Sequence, residues 1–111
     1  MDLQIEKRTN VDVLKYKGRL DVNTAENFRN KANETINSGG LRLAIDFADI
    51  TFVDSSGLGA LVNILRTANQ KGGDVKLFSL KPEIRMVIEL TRLNKVFQIF
   101  NSEEETVTSF K

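Results

Sequence analysis

Leu41-Arg42-Leu43-Ala44-Ile45-Asp46-Phe47 sets Leu, Leu, Ile and Phe at a period of two, the spacing of a β-strand with one face in a core. Ala44 makes the second face partly apolar, which predicts a central strand covered on one face and partly on the other. Residues 48–53 read as a loop leading into Asp54-Ser55-Ser56-Gly57. From there the period changes. Leu58, Leu61, Val62, Leu65 and Ala68 form an apolar stripe at helical spacing, closed by Lys71-Gly72-Gly73. Val75-Lys76-Leu77-Phe78 then returns to strand character. Strand, helix and strand in this order predict a parallel unit with a right-handed crossover, and hence an α/β fold.

Working outward, Leu3 and Ile5 mark a first strand, and residues 11–17 a second one after a Thr9-Asn10 turn. Val11 and Val13 point to one side of the second strand and Leu14 and Tyr16 to the other, so both of its faces are expected to be partly covered. Ala25, Phe28, Ala32 and Ile36 predict a helix capped by Asp21, Asn23 or Thr24 and ended by Ser38-Gly39-Gly40. Pro82 suits the first turn of a further helix, carrying Ile84, Val87, Ile88 and Thr91. Residues 96–100 predict the last strand. Ser102 is placed to cap a final helix whose first turn holds Glu103, Glu104 and Glu105, where negative charge opposes the helix dipole. The expected architecture is one domain over residues 1–111: a small α/β fold of about five strands and four helices. Its sheet is mixed and mostly parallel, with an antiparallel N-terminal edge pair.

Composition narrows the function. The 111 residues contain no Cys, no His, no Trp and one Pro. A disulfide framework, a thiol nucleophile, a Cys-rich metal site, a Ser-His-Asp triad and an imidazole base are all excluded. Carboxylate metal sites and Ser-Lys chemistry survive, so catalysis is disfavoured by subtraction alone. Sixteen basic and fifteen acidic side chains leave a net charge of +1, which supplies no electrostatic reason for a nucleic acid or an anionic membrane as partner. The first residues carry no apolar signal core and no apolar run nears the roughly 20 residues that span a bilayer. A cytoplasmic protein is expected.

Asp54-Ser55-Ser56-Gly57-Leu58-Gly59 is the segment with chemical potential, because loops at the carboxyl ends of strands carry binding surfaces in open α/β folds. It lacks the leading glycine of a nucleophile elbow, the Lys of a Walker loop and the third glycine of a dinucleotide fingerprint. Asp or Ser here acts in the plainest case as an N-cap, contributing about 1 kcal/mol, with Gly57 and Gly59 allowing the helix close to the sheet. The same geometry presents a hydroxyl where a phosphate would face the positive end of the helix dipole and free N–H groups. Such a phosphate adds about −1.5 to −2 charges without disturbing the fold.

Two motifs carry a family resemblance. Gly18-Arg19-Leu20-Asp21-Val22-Asn23-Thr24-Ala25 is similar to the G-x-L-D-x-x-T-A that precedes the first helix of the STAS-domain anti-sigma factor antagonists. Phe52-Val53-Asp54-Ser55-Ser56-Gly57-Leu58-Gly59 resembles their signature segment. Asp46-Phe47, Gly72 to Leu77 and Pro82 to Phe97 follow the later spacing. The resemblance implies a STAS-like fold and no enzymatic activity or cofactor. It implies that the unphosphorylated form binds an anti-sigma factor that is also a serine kinase, freeing a sigma factor. The kinase would phosphorylate Ser55 and thereby end binding, and a serine phosphatase would restore it. Asp21, Thr24, Asp54, Ser55, Ser56 and Gly57 are then the candidate partner-binding residues, with Ser56 the less favoured acceptor. For Asp21, Thr24 and Asp54 the competing role is helix capping. The stripe from Leu58 to Leu65 is expected in the core. The alternative left open is a STAS subunit of a lipid-transport or stress-sensing complex that binds without phosphorylation.

Overall fold

The computed structural model describes residues 2–110. Strands β1 (Asp2–Arg8) and β2 (Val11–Leu20) form the antiparallel hairpin, with Asp2 opposite Lys17 and Arg8 opposite Val11. Helix α1 (Ala25–Asn37) leads to β3 (Arg42–Asp46), which pairs parallel with residues 12–15 of β2. Strand β4 (Ile50–Val53) follows, then α2 (Ser55–Gln70), β5 (Asp74–Phe78) and α3 (Pro82–Leu90). A 3-10 turn (Leu93–Lys95), β6 (Gln98–Phe100) and α4 (Glu103–Ser109) complete the order. The sheet runs β1-β2-β3-β5-β6, parallel except for the first pair, and β4 attaches to β2 alone.

Among the described residues, six strands replace the expected five. The stretch read as a loop contains β4, whose burial runs buried, exposed, exposed, buried and therefore shows no period of two. Its partners are Gly18–Leu20, the last residues of β2, joined across a register shift between Gly18 and Arg19. Gly18 takes φ of 124° there, a backbone state that other residues rarely adopt, and its N–H reaches the Asp49 carbonyl at 3.0 Å. The last strand is shorter than expected: Val96 follows the 3-10 turn and is exposed, while Phe97 turns into the core.

The two faces of β2 enter two separate cores, as its imperfect alternation predicted. Leu14 and Tyr16 join Phe28 and Ile36 of α1, Leu61 and Ile64 of α2 and Ile84 and Ile88 of α3. Val11, Val13, Ala44 and Phe78 pack on the opposite side against Phe100, Val107 and Phe110. Lys76 lies on that second side at only 7% exposure. Its ammonium group donates to the carbonyl and hydroxyl of Ser109 at 3.1 and 2.9 Å and sits 4.3 Å from the Phe110 ring centre. A cation in an otherwise apolar layer is thus satisfied by the negative end of α4 and an aromatic face. Of the α2 stripe, Leu61, Leu65 and Ala68 are buried, whereas Leu58 and Val62 lie half-buried at its margin; Gly57, Ala60 and Ile64 complete the buried face.

Candidate functional site

The site is assembled where β2 and β4 end side by side. Leu20 pairs with Val53, and the Asp54 N–H then reaches the Leu20 carbonyl at 3.2 Å. Asp54 itself is extended and stands at the N-cap of α2, where its carboxylate accepts the Gly57 N–H at 3.0 Å. That satisfies one of the donors a helix leaves free at its start. Ser55 is the first helical residue and is exposed; Ser56 is half-buried; Gly57 is buried.

The two glycines of the segment differ. A Cβ at Gly57 would lie 2.4 Å from the Leu20 carbonyl oxygen and 3.0 Å from side-chain atoms of Leu20 and Val53. A Cβ at Gly59 would meet nothing within 4 Å. The expectation that both permit close approach to the sheet therefore holds for Gly57 alone.

The strand pairing brings the second motif to the same edge. The Asp21 carbonyl accepts from the N–H groups of Thr24 and Ala25 at 3.0 and 2.8 Å. Its carboxylate accepts from the Asn23 N–H at 3.0 Å and from Arg19 Nε at 3.2 Å. Thr24 occupies the N-cap position of α1 but makes no side-chain cap bond. Its hydroxyl instead donates to the Arg19 carbonyl at 2.7 Å and accepts from the Asp21 N–H at 3.0 Å. The side chains expected to cap α1 thus tie the β2–α1 loop to itself, because Thr24, at ψ of −18°, is not in the extended state of a usual cap.

The Asn23 N–H, assisted by Arg19, holds the Asp21 carboxyl below its ordinary value. On the β1–β2 hairpin, the hydrogen bond from Arg8, with Lys15 nearby, lowers Glu6 in the same way. Both groups bind their protons less readily folded than unfolded. Their stabilising contribution is therefore present above the ordinary carboxylate range and is lost as pH falls through the depressed native values. The urea midpoint is expected to decline as pH drops below about 4, with a shallower decline in Asp21→Asn; an equal acid slope in variant and parent would refute the assignment.

Three residues at this edge escaped the sequence reading as site residues. Arg19 stacks over Phe52 with 4.0 Å from the guanidinium carbon to the ring centre. Phe52 remains partly exposed, and Val22 is 71% exposed. Val22 carried a signal, an apolar residue inside a polar turn; Arg19 and Phe52 carried none, because only the pairing of β2 with β4 makes them neighbours. Val22, Ala25, Glu26, Arg29, Ser56 and Gly59 line a shallow groove of about 270 Å³ where α1 and α2 begin. Among the described residues, no group of three or more acidic side chains is placed to hold a metal ion. None of the described helices is long and apolar enough to cross a membrane.

A mixed sheet whose two signature loops meet at the start of α2 defines the class. The chain belongs to the STAS-domain family, whose model matches residues 2–106. It is 24% identical to the anti-sigma F factor antagonist of Paenibacillus polymyxa over 112 residues, spanning 100% of this chain and 96% of that one. The crystal structure of a Thermotoga maritima protein, provisionally named an anti-sigma factor antagonist, superposes with a TM-score of 0.92 at 24% identity, covering 96% and 92% of the two chains, a likeness of fold. The anti-sigma factor antagonist SpoIIAA in its unphosphorylated form gives a TM-score of 0.73 at 25% identity over 96% and 94%. The Bacillus cell fate determinant SpoIIAA in its phosphorylated form gives 0.76 at 26% identity over 98% and 99%.

Proposed function

We propose that this chain acts as a single-domain anti-sigma factor antagonist in the cytoplasm. Unphosphorylated, it binds an anti-sigma factor that is also a serine kinase, and so releases a sigma factor. The kinase transfers the γ-phosphoryl group of ATP to the Ser55 hydroxyl. The Oγ–P bond forms, the bond to ADP breaks, and the hydroxyl proton passes to the kinase. The modified chain lets go, and a serine phosphatase hydrolyses the ester. The chain is a substrate in this cycle and catalyses none of it.

One observation carries the reading: Ser55 is an exposed hydroxyl on the first residue of a sixteen-residue helix, on a backbone held by the Asp54 cap and the buried Gly57. A phosphate there faces the helix's positive end and disturbs no core contact. The neighbouring Asp54 bonds to the Leu20 carbonyl, one residue before the loop of Asp21 and Thr24, so both motifs border one docking surface. The antagonist relatives, and the likeness to SpoIIAA in both phosphorylation states, support the same conclusion.

Incubation with the partner kinase and ATP, followed by peptide mass spectrometry, is expected to place the phosphate on Ser55. Phosphate solely on Ser56, which is half-buried and lines the groove, would overturn the assignment.

A further inference from the structure

Arg19 is not used by the cycle just described, yet its side chain is held by two contacts at the end of β2. It precedes Leu20 on β2 and faces Phe52 on β4 in register. The Phe52 ring supports one face of its guanidinium at 4.0 Å, and its Nε donates to Asp21 at 3.2 Å. The side chain nevertheless stays 60% exposed. Stacking and a single charged bond orient a planar group that can take two oxygens at once.

The start of α2 lies against the same strand end, since Asp54 bonds to the Leu20 carbonyl. Charged groups near it include Asp54 and Asp21, and Glu26 and Arg29 line the groove that also holds Ser56. A phosphate on Ser55 would bring about −1.5 to −2 further charges to a rim that already holds two carboxylates. A bidentate bond from Arg to phosphate is stronger than a single Nε bond to a carboxylate.

Resting on the reading that Ser55 is the phosphoacceptor, we propose that Arg19 is an internal phosphate receiver, exchanging Asp21 for the phosphoserine at position 55. The stacked guanidinium turns across the Phe52 ring and its fork engages the phosphate. Asp21 then loses its charged partner and retains the Asn23 N–H. The modification thereby reaches the β2–α1 loop as well as the start of α2, and both halves of the docking surface change together.

The test needs no kinase. The full chain is made with phosphoserine encoded at position 55, and its phosphorus resonance is titrated by NMR. The second phosphate pKa is expected to lie at least about 0.3 unit lower with Arg19 present than in Arg19→Gln, because a bound cation favours the dianion. The Arg19 Nε–H signal is expected to move on phosphorylation, and Arg19→Lys to recover less than half of the difference. A smaller difference, or one produced by Arg29→Gln instead, overturns the proposal. Should Arg19→Gln not fold, Arg19→Lys against the parent carries the comparison. Failure here leaves Ser55 labelling by the kinase untouched, whereas labelling elsewhere would refute the phosphoacceptor reading and leave this contact standing.

Discussion

Gly57→Ala is expected to lose about 2 kcal/mol of stability and to lower the urea midpoint by roughly 1 M. The added Cβ would lie 2.4 Å from the Leu20 carbonyl oxygen, and that atom belongs to the backbone of a central strand. No side-chain rotation relieves such a clash. Either α2 lifts from the sheet or the end of β2 moves, and overpacking of this kind costs about 3 kcal/mol. Ala gains up to about 1 kcal/mol over Gly in helix propensity, which leaves the net loss. Lifting α2 also stretches the bond from the Gly57 N–H to the Asp54 carboxylate. Gly59→Ala is the matched control. Nothing lies within 4 Å of its added Cβ, so propensity acts unopposed and stability is expected to rise by about 0.5–1 kcal/mol. Two Gly→Ala changes two residues apart on one helix thus have opposite signs. Equal urea midpoints for the two variants would contradict the packing account.

Phosphoserine at position 55 is expected to weaken affinity for the anti-sigma factor kinase by about 100-fold or more, some 2.7 kcal/mol. A near-dianion placed on the proposed docking surface, beside Asp21 and Asp54, must be desolvated or expelled, and charge mismatches of this kind cost several kcal/mol. Ser55→Ala is expected to bind within a few-fold of the parent while accepting no phosphate, since the cap is supplied by Asp54 and not by Ser55. Calorimetry of the three forms checks this, at two salt concentrations, because the long-range part of the penalty is screened. Phosphorylated and unmodified chains binding within threefold of each other would remove the charge mechanism.

Both predictions concern α2, and the sequence exposed only part of their basis. The change of period between Phe47 and Leu58 placed the helix, and Asp54 placed its start, so the position of Ser55 was legible. A cap by Asp or Ser at the start of α2 followed from residue type; the structure assigns it to Asp54, with the Gly57 N–H as donor. The distinct roles of Gly57 and Gly59 did not, because two glycines on one helix look alike until the sheet beneath them is known. The start of α1 departs from expectation for a related reason. Asp21 and Thr24 are good capping residues in isolation, but the Asp21 carboxylate is taken by the Asn23 N–H and Arg19 Nε, and the Thr24 hydroxyl by the Arg19 carbonyl and the Asp21 N–H. Strand β4 was hidden because a four-residue strand pairing with only three residues lacks alternation.

The sequence by itself determined the order of most elements, the two-sided burial of β2 and the presentation of a serine at the start of an amphipathic helix. These rest on periods of 2 and 3.6 and on capping, which act between residues a few positions apart. The tertiary structure decided what surrounds that serine. Parallel pairing of β4 with the end of β2 carries Arg19, Asp21 and Phe52 to the start of α2, and its register is set by which side chains can be buried together across the whole sheet. No local spacing encodes that register, because the residues it joins lie on separate strands with a helix and a further strand between them.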